Sequence, residues 1–153
     1  MKIAAAVLAS AMLSAGCEVN LTTEGVSARE TTTYKLTGQP GLALDSFDGS
    51  IELHSWDRDE IEIEVERRAM EQALLDQIKV EAKQDGNSVR LTVTGPPRER
   101  HRMTIGMHIS PSARLRVVVP RHANIAAMSG DGPIRAEADR KSTRLNSSHV
   151  SES

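Results

Sequence analysis

The chain has 153 residues, with 19 Lys and Arg against 21 Asp and Glu, 2% aromatic residues and a single cysteine. That balance carries no global basic field for nucleic acid, and one cysteine excludes an intramolecular disulfide. The length suits one small domain.

Met1-Lys2 is positively charged, Ile3 to Leu13 is apolar or small, and Leu13-Ser14-Ala15-Gly16-Cys17 follows. The apolar run is too short to span a bilayer and has the length of a signal-peptide core. Small residues leading into the cysteine resemble the lipobox of bacterial lipoproteins, with the leucine four residues before the cysteine where the usual pattern puts it three before. The resemblance implies a signal peptide over 1–16, acylation of the Cys17 thiol and Cys17 as mature N-terminus. Acyl chains would anchor the protein, each buried methylene contributing about 0.8 kcal/mol. By resemblance to Gram-negative lipoproteins, Glu18 after the cysteine implies sorting to the outer membrane. The alternatives are an ordinary secretory signal cut after Ala11 or Ala15, or a merely apolar start.

Residues 17–33 are small and polar and read as a tether, with part of the threonine-rich stretch suited to a first strand. Strand signals follow in "YKLTG", "LALDSF", "SIELHS" and "EIEIEVERR", separated by Gly, Pro and Asp turns. In the last of these, strict alternation sets Ile61, Ile63 and Val65 on one face and Glu60, Glu62, Glu64 and Glu66 on the other. Met70, Leu74 and Ile78 fall at helical spacing, which predicts one short amphipathic helix in "AMEQALLDQI". "KVEAKQ" and "NSVRLTVT" flank Asp85-Gly86 and predict a tight hairpin. "RERHRMTIGMHI", "SPS" and "ARLRVVVP" predict another strand pair, closed by Pro120.

One pattern returns. Leu42 to Glu52, "LALDSFDGSIE", aligns without a gap to Ile125 to Arg135, "IAAMSGDGPIR". Each copy is an apolar run followed by Ser-x-Asp-Gly-x-Ile, which reads as strand, turn, strand. Stacked rungs of a β-solenoid have that form. Beyond Ala138 the patterning stops: Asp139 to His149, "DRKSTRLNSSH", corresponds to one reading frame of a common short-read sequencing adapter. Residues 139–153 are therefore set aside, with the expectation that native sequence continues where they stand.

The stretches "DSFDGSIELHSWDRDEIEIEVERRA", "IKVEAKQDGNSVRLTV" and "ARLRVVVPRHANIAAMSGDGPIRA" together resemble the bacterial β-strand-repeat proteins of unknown function classed as adhesin-like. The resemblance covers about 34–138 and implies an all-β domain with one short helix. It further implies a β-sheet or β-solenoid of stacked rungs, truncated at its C-terminus. It also implies that further Ser-Gly-Asp-Gly rungs follow the one present. Fold alone does not fix function.

Among candidate sites, the carboxylate row Glu60, Glu62, Glu64 and Glu66 could hold a hard cation such as Ca²⁺. Residues two apart on a strand lie about 6 to 7 Å apart, which suits a solvated strand face better. Asp48-Gly49 and Asp131-Gly132 read as turns, since the dense nonapeptide spacing of calcium repeats is missing. Residues 45–66 carry nine acids against one base, Arg58, whereas 98–121 carries Arg98, Arg100, Arg102, Arg114, Arg116 and Arg121 against Glu99. Acidic and basic strands pairing across a sheet is the favoured reading; a basic patch for anionic polysaccharide or lipopolysaccharide is the other. His54, His101, His108 and His122 lack metal-ligand spacing, and Trp56 beside Asp57 reads as a packing anchor rather than a sugar platform. No Gly-x-Ser-x-Gly, phosphate loop or Cys-x-x-Cys occurs. The expectation is a non-enzymatic, lipid-anchored envelope protein with an adhesin-like structural or surface-binding role. It has no cofactor and no metal, and its partners are the membrane and envelope polysaccharide or protein. The alternatives are a periplasm-facing binding or scaffolding module and a β-solenoid polysaccharide-acting enzyme.

Overall fold

A computed structural model describes residues 16–22, 25–97 and 110–137. They form strands β1 (Gly16–Thr22), β2 (Gly25–Lys35), β3 (Gly41–Ser46), β4 (Ile51–Trp56) and β5 (Glu60–Ala69), then a four-residue helix α1 (Gln72–Leu75). Strands β6 (Lys79–Asp85), β7 (Ser88–Thr94), β8 (Ser112–Pro120), β9 (Asn124–Ser129) and β10 (Ile134–Glu137) complete them. The described chain is thus mainly β with one short helix. The strands make two mixed sheets, one of six in the order β1-β2-β5-β8-β4-β10 and one of four in the order β6-β7-β3-β9, and neither sheet closes on itself.

Period-two alternation decides which face each strand buries. Ile61, Ile63 and Val65 of β5, Leu115 and Val117 of β8, and Ile51 and Leu53 of β4 point inward from the larger sheet. Leu42 and Leu44 of β3 and Val89, Leu91 and Val93 of β7 meet them from the smaller one, in a single continuous core. Each such side chain contributes about 1.5–3 kcal/mol by leaving water.

The chain crosses between sheets three times in the same sense. β3 leads through 47–50 to β4, β9 through 130–133 to β10, and β7 through the longer 95–111 segment to β8. Because β3 is parallel to both β7 and β9, and β4 is parallel to both β8 and β10, the two strand-turn-strand arcs lie side by side, with β7 and β8 alongside them. Antiparallel strands flank this stack on one side: β6 beside β7, and β5, β2 and β1 in succession beside β8. On the other side β9 and β10 are the edges of their sheets.

One expectation requires correction. Residues 17–33 are not an extended tether in the described chain. Gly16–Thr22 and Gly25–Lys35 are strands, β2 pairs with β5 over ten residues from Val26 to Lys35, and Val26 and Ala28 are buried. The β-branched Thr31-Thr32-Thr33 run suits that role. The one short helix forms within the expected stretch, over Gln72–Leu75. Glu71 caps it without a side-chain hydrogen bond, Met70 stays exposed, and Leu75 with Ile78 supplies the buried contact. The Asp85-Gly86 hairpin forms as the sequence predicts, with Gly86 at φ 54° and Asp85 paired to Ser88. The predicted strand over 98–109 and the segments 1–15 and 138–153 lie outside the described residues.

Leu115 is fully buried, opposite Ile51 on one side and Val65 on the other. Leu115→Ala should lower unfolding stability by about 2–5 kcal/mol, read as a fall in the urea midpoint with unchanged slope. Tyr34, the sole tyrosine, has its phenol pushed above the ordinary value of 10.0 by burial and then by the Glu30 carboxylate. The fold therefore favours the neutral phenol, so this contribution is intact below pH 10 and is lost as pH rises beyond it. Tyr34→Phe should flatten the alkaline loss of stability in urea titrations.

Candidate functional site

The repeated motif builds one continuous structure where the arcs turn. Leu42 pairs with Ile125, Ser46 with Ser129 and Ile51 with Ile134, which is the gapless alignment seen in the sequence. Ser46 and Ser129 are the buried polar side chains of this core. The Ser46 hydroxyl donates to the Asp48 carbonyl at 3.3 Å within its own turn, and the Ser129 hydroxyl donates across to the Gly49 carbonyl at 3.0 Å. Backbone bonds extend the ladder around the corner: Gly130 N–H to Ser46 O at 2.9 Å, Gly49 N–H to Asp131 O at 2.9 Å and Ile51 N–H to Pro133 O at 3.0 Å. On the opposite side Ala113 N–H donates to Asp48 O and Leu115 N–H to Ser50 O, at 3.1 and 2.8 Å.

Glycine is required where the arcs approach most closely. Gly49 has φ 108°, and a Cβ there would collide with the Ala113 carbonyl; a Cβ at Gly132 would collide with the Gly49 carbonyl. Each turn glycine thus admits the arc behind it. At the β9 and β10 edges of the described sheets, Ile125, Ile134 and Ala136 are half-buried, whereas their counterparts Leu42, Ile51 and Leu53 are 3%, 0% and 3% exposed.

On the wet face of the six-stranded sheet, described acids and bases lie opposite one another. Glu66 lies between Arg29 of β2 and Arg114 of β8, and Glu64 lies opposite Arg116, which in turn neighbours Glu52 and then Arg135 across β4 and β10. Glu66 sits 3.5 Å from Arg29, 3.4 Å from Arg68 and 3.9 Å from Arg114, and Glu64 3.7 Å from Arg29. These glutamates are partners of arginines, the solvated-face reading. Among the described residues no group of three or more His, Cys, Asp or Glu is placed to hold a metal ion. The arginine ends of these pairs are exposed, so each contributes on the order of 1 kcal/mol and weakens in salt.

Other candidate residues fall into structural roles. Trp56 donates from Nε1 to the Glu60 carbonyl at 2.8 Å, and the Arg58 guanidinium lies 4.8 Å from its ring centroid. Asp57 receives Arg121 through Nε at 2.6 Å and through a second nitrogen at 3.3 Å, tying the Trp-Asp turn to the end of β8. His54 Nδ1 lies 3.2 Å from Glu137 in β10. Cys17 is in β1, opposite Glu30 of β2. Arg98, Glu99, Arg100, His101, Arg102 and His108 lie outside the described residues. No helix among the described residues is long and apolar enough to cross a membrane.

Sequence reasoning passed over the outer face of the four-stranded sheet. There a shallow depression of about 780 Å³ is lined by Lys83 and Arg90, by Asp85, Ser88 and Asn124, and by a floor that includes Gly41, Ala43 and Ala126. The available signal was the hairpin itself: counting outward from its turn brings Lys83 opposite Arg90.

Comparison with protein families, curated proteins and solved structures finds no match to this chain.

Ser129→Ala removes a buried donor to Gly49 O and leaves that carbonyl without its side-chain partner, which should lower stability by about 1–3 kcal/mol. Gly132→Ala should cost more, because backbone must move. Chemical denaturation of both variants checks the order.

Proposed function

We propose that the chain is a lipid-anchored cell-envelope protein whose stacked arcs serve a non-catalytic, adhesin-like surface-binding role. The observation that carries this reading is the in-register stacking of two copies of the Ser-x-Asp-Gly-x-Ile arc, with β7 and β8 alongside them. A stack of this kind offers a surface that lengthens with each arc, suited to many weak contacts. The half-buried Ile125 and Ile134 at the β9 and β10 edges suit the apolar positions of a further arc, as a β-solenoid requires. The lipobox-like sequence ending at Cys17 supports anchorage through that sulfur, with the outer membrane as the site by the Glu18 resemblance. Envelope polysaccharide or protein is the other partner.

Expression of the full chain in a Gram-negative host with a clickable palmitate analogue tests the anchor. Label should appear on the wild type in the outer-membrane fraction and be lost in Cys17→Ser. An unlabelled wild-type chain contradicts the anchor. Vesicles bearing the labelled protein should be retained on polysaccharide-coated or protein-coated surfaces, and failure on every coat contradicts the adhesin-like role.

A further inference from the structure

The two sheets treat charge differently on their wet faces. Across the six-stranded sheet acid meets base, from Arg29 through Glu66 to Arg114 and from Glu64 through Arg116 and Glu52 to Arg135. Across the four-stranded sheet the row Lys83, Arg90, Ala43, Ala126 sets two cations directly opposite one another and follows them with two methyl groups. Directly opposed like charges destabilise a strand pair. Neither cation forms an ion pair among the described residues, although Glu81 and Asp85 flank Lys83 on the same strand. Two rows adjoin it on the same face: Asp85, Ser88, Gly41 and Asn124 on one side, and Glu81, Thr92, Asp45 and Met128 on the other.

We infer that this depression binds an acidic polysaccharide, with the anionic group of one sugar held between Lys83 and Arg90. Charge complementarity names the anion. The remaining lining names the sugar: the Asp85 carboxylate accepts from hydroxyls, and the Ser88 hydroxyl and Asn124 amide both donate and accept. Ala43 and Ala126 present only methyl groups to the floor, which suits the C–H face of a ring, while the Ser88 hydroxyl leans over Gly41. A neutral glycan has no use for the opposed cations, and a bare inorganic anion has none for Asp85. The volume of about 780 Å³ lies within the range of ligand clefts. The inference rests on the surface-binding reading above and names its substrate class and the face that meets it.

The test uses the full wild-type chain on neutral phosphatidylcholine vesicles and its binding to oligogalacturonate, a phosphorylated oligomannose and neutral maltohexaose. At least one acidic oligosaccharide should bind about tenfold or more tightly than the neutral one, weakening as NaCl rises from about 50 to about 500 mM. Which of the two binds distinguishes carboxylate from phosphate as the source of the anion. Lys83→Glu should reduce acidic-oligosaccharide binding about tenfold or more while keeping the far-UV circular dichroism spectrum of the wild type. Ala43→Phe, which fills the floor, should also abolish binding. Unchanged affinity in both variants overturns the inference. Binding to neutral glycan or to protein coats alone overturns it and leaves the adhesin-like role standing. No binding to any surface overturns both. Retention by anionic phosphatidylglycerol vesicles with no oligosaccharide binding also overturns it, because the cations then face lipid.

Discussion

The fold depends on one constraint: successive strand-turn-strand arcs must come into backbone contact at their corners. A buried serine hydroxyl and a glycine without Cβ make that contact possible. Ser129 reaches the Gly49 carbonyl, and Gly132 leaves the space that this carbonyl occupies. With the corners fixed, the strands on both sides have no freedom of register. Leu42 must lie beside Ile125 in one sheet, and Ile51 beside Ile134 in the other. A slip of one residue would turn the apolar positions of both sheets outward at once.

The remainder of the molecule serves to close one side of that stack. β5, β2 and β1 extend the larger sheet in antiparallel pairing, and β6 folds back on β7 through a two-residue turn. The larger sheet can carry a highly charged wet face because its register sets glutamates of β5 against arginines of β2 and β8. No such matching occurs at Lys83 and Arg90.

Much of this architecture was legible in the sequence wherever the signal was local and periodic. The alternation of Glu60 to Glu66, the hairpin at Asp85-Gly86 and the strand ending at Pro120 all appear at or within a residue or two of their expected places. The repeat was legible for the same reason, since one motif makes one corner. The place of β7 and β8 beside the two arcs was hidden because 95–111 separates β7 from β8 and carries no Ser-x-Asp-Gly, so no alignment could find it. β2 was hidden differently: only Val26, Ala28 and Tyr34 of its inward positions are buried, while Glu30 and Thr32 are polar. Its alternation was too weak to outweigh a composition typical of linkers. The Lys83 and Arg90 pairing became visible once hairpin register was fixed, and its neighbours Ala43 and Ala126 come from strands distant in sequence.

The in-register stacking of the two motif copies is the central claim, and spin labels test it most directly. In a Cys17→Ser background, nitroxides at Asp45 and Met128, which the register places side by side, should show strong dipolar broadening. Labels at Asp45 and Asn124 should show far less, since four residues along a strand add about 13 Å. Equal broadening in the two pairs, or stronger broadening between 45 and 124, would contradict the stacked arrangement.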